Sequence, residues 1–163
     1  MRALTALRDI PWHCVIAGSL ERHPEFARQV REQIRQAGID DRVHLVRECT
    51  SARLEYLYHS SGLFVLPSWY EGYGMAFAEA MAHGLPVIGT HGGAIPDTVP
   101  AHAGVLVAPG DLEALTQALA DLLQDPSARA RLGQGARRHA RTLPDWPEVA
   151  QRLASAIREL AGP

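Results

Sequence analysis

The chain has 163 residues, the size of one domain, and at 47% apolar and 21% charged it can bury a core. Its net charge of −2 and pI near 6.4 give no basic face of the kind that broad nucleic-acid binding requires. No apolar run reaches the ~18 residues of a membrane span, and with two arginines and an aspartate residues 1–10 are not expected to be a signal peptide. Cys14 and Cys49 form no Cys-x-x-Cys pair and read as reduced thiols of a cytoplasmic protein, with one disulfide left open.

Short apolar runs alternate with helical patterns, which predicts an α/β domain with a mainly parallel sheet. Residues 1–8 read as the second half of a helix. A doubly wound domain usually starts on a strand, so one strand is expected to be missing upstream, as in a fragment of a longer protein. Cys14-Val15-Ile16-Ala17 is a strand ending at Gly18. Pro24 opens a helix to about residue 37, with Phe26, Val30 and Ile34 at four-residue spacing and Gly38 as its stop. Val43-His44-Leu45-Val46 is a second strand, and Thr50 or Ser51 caps a short helix carrying Leu54, Leu57 and Tyr58. Residues 63–66 form a third strand, 74–83 a helix, and 86–89 a fourth strand running into Thr90-His91-Gly92-Gly93.

A short helix near 95–99 and a weak strand at 104–107 follow. Asp111 caps a helix bearing Leu112, Leu115, Leu119, Leu122 and Leu123, most simply core-facing, with a partner surface as the second reading. Asp125-Pro126-Ser127 starts a helix weakened by Gly133 and Gly135, and a last helix covers about 147–160. With no repeat, low-complexity tract or long linker, residues 1–163 are expected to be a single domain.

The most informative stretch is Glu71-Gly72-Tyr73-Gly74-Met75-Ala76-Phe77-Ala78-Glu79, which joins the third strand to its helix and sets two carboxylates eight residues apart. Ligands of open α/β sheets bind outside the carboxyl ends of the strands, and residues 67–73 form such a loop. Gly72 and Gly74 are expected to let the backbone approach a ligand and to take unusual dihedrals. Free N–H groups and the positive end of the helix suit a phosphate. Glu79 lies about five residues into the helix, roughly 7–8 Å further on at ~1.5 Å per residue, about the reach from a diphosphate to a ribose. Glu71, across the turn, would face a sugar. A diphosphate with a sugar at each end is a nucleotide sugar. The plainer alternative has Glu71 favouring the helix dipole and Glu79 facing solvent. Against it, Glu79 interrupts Ala78, Ala80, Met81 and Ala82, where a carboxylate needs a partner.

Other candidates are weaker. The eight histidines show no tight ligand spacing, so no metal is expected. His83 shares a helix face with Glu79 and reads as a helix-end hydrogen bond rather than a ligand pair. His91 is a minor candidate for a phosphate contact. Gly18-Ser19 is either a glycine turn against phosphate or a plain turn. No Gly-x-x-x-x-Gly-Lys-Ser/Thr loop, Gly-x-Gly-x-x-Gly fingerprint or Gly-x-Ser-x-Gly elbow is present. Trp69 and Tyr70 either stack on a base or sugar or pack against another domain; packing is favoured for Trp69.

Pro67-Ser68-Trp69-Tyr70-Glu71-Gly72-Tyr73-Gly74-Met75 through Glu79-Ala80-Met81-Ala82-His83-Gly84-Leu85-Pro86-Val87-Ile88 resembles the donor-binding signature of family-four, glycogen-synthase-like retaining glycosyltransferases of the GT-B type. Gly92-Gly93-Ala94-Ile95-Pro96-Asp97 is similar to that family's Gly-Gly-x-Pro-Glu turn, with Asp in place of Glu. Gly104-Val105-Leu106-Val107, Pro109-Gly110-Asp111 and Trp146 extend the likeness over nearly the whole chain. The resemblance implies a Rossmann-like doubly wound sheet, the C-terminal half of a two-domain enzyme, binding a UDP-, GDP- or ADP-sugar. By analogy Glu71 contacts the donor sugar as the catalytic residue, by positioning rather than nucleophilic attack. The amides of Gly72, Tyr73, Gly74 and Met75 hold sugar and phosphate, and Glu79 holds the ribose. Transfer is expected with retention and without metal or cofactor, basic side chains and a helix N-terminus stabilising the leaving diphosphate.

The chain departs from that pattern. The upstream Gly-Arg…Lys segment and the acceptor domain are not in it, so this piece alone is expected to be inactive. The acceptor (a saccharide, lipid or small molecule) would be bound by the N-terminal domain. The position after Val46, usually Gly, is Arg47, expected near the nucleotide base and facing either donor or solvent. A non-catalytic nucleotide-sugar-binding module and a nucleotide-sugar epimerase are the alternatives. A phosphorylase is disfavoured because all 16 basic residues are Arg and none is the Lys its cofactor needs. No nucleic-acid partner is expected, while peripheral membrane contact and self-association through uncovered apolar surface stay open.

Overall fold

The computed structural model describes residues 1–144 and 146–161. The elements run α1 (Arg2–Thr5), β1 (Cys14–Ala17), α2 (Pro24–Gln36), β2 (Val43–Val46), α3 (Ser51–Ser60), β3 (Phe64–Val65), α4 (Met75–Ala82), β4 (Val87–Thr90), α5 (Ile95–Thr98), β5 (Gly104–Val107), α6 (Leu112–Gln124), α7 (Pro126–Ala140) and α8 (Trp146–Ala161). All strand pairings are parallel. The ladders form two groups, β1-β2 and β3-β4-β5, with Cys14 opposite Val43, Phe64 opposite Val87, and Val87 opposite Gly104. A single mainly parallel sheet was expected. The β1 and β3 ladders are not joined to each other, although side chains from both pack into one core.

β4 is the most deeply covered strand, buried at all four positions. Successive strand residues point to opposite faces. Ile88 accordingly enters one cluster with Trp12, Ile34, Val43, Leu119 and Leu122, and Val87 enters another with Phe77, Met81, Leu85 and Ile95. Helices therefore cover both faces, the doubly wound arrangement of an α/β domain.

The caps fall where the sequence puts them. Thr50 Oγ1 accepts from the Arg53 amide (3.3 Å), Asp111 from Ala114 (2.9 Å) and Asp125 from Ala128 (2.9 Å). Phe26 departs from expectation. It is exposed, while Ala27 and Ile34 are buried and Val30 half-buried, so the inward stripe of α2 runs through 27, 30 and 34. Gly133 and Gly135 are also more than weak points in α7. A Cβ at Gly133 would stand 2.5 Å from the Gly84 carbonyl oxygen, and one at Gly135 1.8 Å from that of His102. The glycines let α7 lie against the end of α4 and the turn before β5. Both cysteines are free, and burial pushes the Cys14 thiol up. The side chain of Trp146 lies outside the described residues.

Candidate functional site

The Glu71 loop leaves β3 at its carboxyl end and is held from below by the turn after β4. The Thr90 hydroxyl, 1% exposed, donates to the Ser68 carbonyl at 2.5 Å and accepts from the Gly92 amide at 3.3 Å. Glu71 forms a parallel bridge with Gly93, and the Ala94 amide donates to the Glu71 carbonyl at 2.9 Å. The two backbones run so close that a Cβ at Gly92 would meet the Trp69 carbonyl oxygen at 2.4 Å, and one at Gly93 the Glu71 carbonyl oxygen at 2.3 Å. The Gly92-Gly93 pair thus supports the loop above it. From the other side the Thr98 hydroxyl donates to the Tyr73 carbonyl at 2.5 Å.

Gly74 then starts α4 at φ +85°, a left-handed conformation that favours glycine. Gly72 does not share it. Its φ is not positive, and a Cβ there would meet nothing within 4 Å, so the expected unusual dihedral is found at Gly74 alone. The first helical bonds run from Phe77 and Ala78 to the Gly74 carbonyl. The amides of Gly72, Tyr73, Gly74, Met75 and Ala76 therefore have no acceptor among the described residues. Five successive free donors at a helix start suit an anion.

The carboxylates flank these donors. Glu71, half-buried, accepts from the Ser68 hydroxyl at 2.8 Å. Glu79 is exposed, on the outer side of α4, while Phe77, Ala80 and Met81 of the same helix are buried. It has the partner that its apolar surroundings called for, because the Tyr58 hydroxyl donates to Glu79 Oε2 at 3.1 Å. Burial and then the nearby Glu79 charge push the Tyr58 hydroxyl up to about 12, so it stays a neutral donor. The His83 amide donates to the Glu79 carbonyl at 3.2 Å, the helix-end hydrogen bond its spacing suggested, and its side chain makes no hydrogen bond to the Glu79 carboxylate among the described residues. Its ring stacks on Tyr58 at 4.9 Å and meets His59 edge-on at 4.7 Å. No cation pairs with either carboxylate among the described residues, and no cluster of metal-ligating side chains occurs there.

The remaining predicted residues lie on the other ladder. Gly18 follows β1 with a non-positive φ and open space at its Cβ position. Arg47 follows β2 and faces Glu21 at 3.5 Å, while Arg22 pairs with Glu48 at 3.1 Å. Both pairs link the β1–α2 loop to the β2–α3 loop. No hydrogen bond or ion pair joins Gly18 or Arg47 to the Glu71 loop among the described residues. His91 is exposed, and its backbone amide donates to Val107. Trp69, 75% exposed, lies against Gly110, where a Cβ would stand 2.6 Å from its ring. A broad concavity lined by Trp12, His13 and Arg42 opens at the amino ends of β1 and β2, the wrong end of the strands for ligand chemistry.

Sequence reasoning missed Ser68, Thr90, Thr98 and Tyr58. The four hydroxyls bind backbone or carboxylate across 3 to 25 residues of sequence, and only Ser68, three residues before Glu71, had a local signal.

A parallel α/β domain with a glycine-rich loop and a ring of free amides at a strand's carboxyl end belongs to the broad class of Rossmann-like ligand-binding domains. Residues 1–139 match the family model described as glycosyl transferases group 1, and the chain belongs to that family. It is 36% identical over 128 residues to the MMP alpha-(1->4)-mannosyltransferase of Mycolicibacterium hassiacum, which covers 77% of this chain and 31% of that protein. It is 33% identical over 153 residues to the lipopolysaccharide core biosynthesis mannosyltransferase LpcC of Rhizobium leguminosarum bv. viciae, covering 93% and 43%. The chain thus spans less than half the length of these relatives. Sucrose-phosphate synthase from Thermosynechococcus elongatus superposes with a TM-score of 0.85 at 30% identity, over 97% of this chain and 41% of that one. The Anabaena protein Alr3699/HepE, in complex with UDP-glucose, superposes with a TM-score of 0.84 at 22% identity, over 96% and 43%.

Proposed function

We propose that this chain is the donor-binding part of a retaining glycosyltransferase, holding a nucleoside-diphosphate sugar for transfer of its hexosyl group. The observation that carries this reading is the run of five unpaired amides from Gly72 to Ala76 between Glu71 and Glu79. The amides of Gly72, Tyr73, Gly74 and Met75 receive the sugar-proximal phosphate and the adjacent sugar oxygens. Glu71, fixed by Ser68, accepts from hydroxyls of the donor sugar and orients it. Glu79 accepts from the ribose hydroxyls. The helix N-terminus supports the charge that develops on the departing diphosphate, so the reading needs no metal or organic cofactor. Gly18 and Arg47 stand at the carboxyl ends of β1 and β2, on the base side, where release of Arg47 from Glu21 frees a cation for the nucleotide. The acceptor is a saccharide, lipid or small molecule bound by other parts of the longer enzyme, and the site of action is the cytoplasm, where such donors are made.

Calorimetric titration with UDP, GDP and ADP and their glucose and mannose conjugates tests the donor site. One nucleotide is expected to bind the parent and to lose roughly tenfold in affinity with Glu79→Ala. Equal affinity of parent and variant would remove the ribose assignment. Stereochemistry is read from the anomeric configuration of the product formed by an enzyme containing this domain, and inversion would exclude retention.

A further inference from the structure

We infer that Tyr58 is a positioning residue of the donor site, its hydroxyl holding the Glu79 carboxylate so that the free oxygen faces the nucleotide's ribose. The inference rests on the reading of Glu79 as the ribose acceptor. An exposed glutamate on a helix samples many rotamers, and fixing such a side chain costs conformational entropy. A ligand that had to select one rotamer would bind more weakly by that cost. Glu79 is such a residue except for a single tether, since Tyr58 donates to Oε2 and Oε1 makes no hydrogen bond among the described residues.

The tether is rigid. Tyr58 is 9% exposed, and its ring lies between His83 at 4.9 Å and Phe64 at 6.2 Å. Tyr58 belongs to the buried cluster that includes Phe77, Ala80 and Met81, and that packing restrains the ring. Arg137 donates to the His83 carbonyl at 3.1 Å and ties the end of α4 to α7, so the stacking partner is itself held. The hydroxyl remains protonated across the physiological range, and a neutral donor leaves the negative charge of Glu79 available to the ribose.

A purely structural Tyr58, merely using Glu79 to satisfy its own hydroxyl, makes different predictions. Tyr58→Phe keeps the ring stack and removes one oxygen. Titration with the nucleoside diphosphate that the parent binds is expected to show a loss of about fivefold. The loss should vanish in the Glu79→Ala background, and also with the matching 2′,3′-dideoxynucleoside diphosphate, which has no ribose hydroxyls to offer. Equal weakening toward the ribo and dideoxy ligands, or an unchanged affinity for the ribo ligand, would overturn the inference. If Glu79→Ala itself binds like the parent, the ribose reading fails and takes this one with it. If Glu79→Ala binds weakly and Tyr58→Phe normally, only the positioning role is lost. Side-chain scalar couplings of Glu79 in the free chain give a check independent of any ligand. One χ1 rotamer is expected in the parent and averaged rotamers in Tyr58→Phe, and the same averaging in both would also refute it.

Discussion

The loop between β3 and α4 and the loops after β1 and β2 end at the same kind of place and are built differently. The Glu71 loop is locked by backbone crossing backbone, with Gly92 and Gly93 beneath it and the hydroxyls of Thr90 and Thr98 bonded to its carbonyls. The loops carrying Gly18 and Arg47 are tied by Arg47–Glu21 and Arg22–Glu48, with every side chain more than 60% exposed. Steric locks of the first kind hold one geometry. Exposed ion pairs of the second kind contribute little and exchange with water. On the proposed reading, the phosphate and sugar end of the site is thus pre-formed, and the base end is adjustable.

The largest expected effect comes from breaking the lock. Gly93→Ala forces a Cβ into the Glu71 carbonyl oxygen at a φ of +62°, and should cost about 3 kcal/mol or more of stability in chemical denaturation. A cost under about 1 kcal/mol would mean that the two backbones separate easily. Thr98→Val deletes the donor to the Tyr73 carbonyl. It should cost about 1–2 kcal/mol in the same assay and weaken nucleotide binding, because the freed carbonyl loosens the amide run. The adjustable end should respond in the opposite sense: Glu21→Ala changes stability by less than about 0.5 kcal/mol. If Arg47 serves the nucleotide, this variant binds as well as the parent or better, and a loss of affinity would show that the ion pair is part of the site.

The smallest effect is one of pH. Tyr58 titrates near 12 in the folded chain against an ordinary value of 10, so its contribution is complete below pH 10 and is lost as pH rises through about 12. Thermal unfolding of Tyr58→Phe should therefore be less sensitive to alkali than that of the parent.

Much of this arrangement was legible in the sequence, because much of it is local. Apolar runs bounded by glycine located the strands, Asp111 and Asp125 announced their helices, and the Glu-to-Glu stretch marked the loop. What escaped depends on distant chain meeting distant chain. Phe26 and Ala27 are adjacent, and only the placement of α2 on the sheet decides which is buried. The apolar neighbours of Glu79 called for a partner without naming it, and tertiary packing supplies Tyr58 from 21 residues away. Gly133 and Gly135 looked like defects of α7, since propensity is a property of an isolated helix and says nothing of the carbonyl oxygens that press against this one.

Those glycines bear on how the chain would look in a saturation mutagenesis experiment. Positions 92, 93, 104, 133 and 135 each have a backbone carbonyl oxygen within 2.5 Å of where a Cβ would go. They should tolerate replacement as poorly as any residue that touches a ligand. A map of intolerance drawn on this domain would therefore mix two kinds of position: those whose side chains are needed for recognition, and those where the requirement is that no side chain exist.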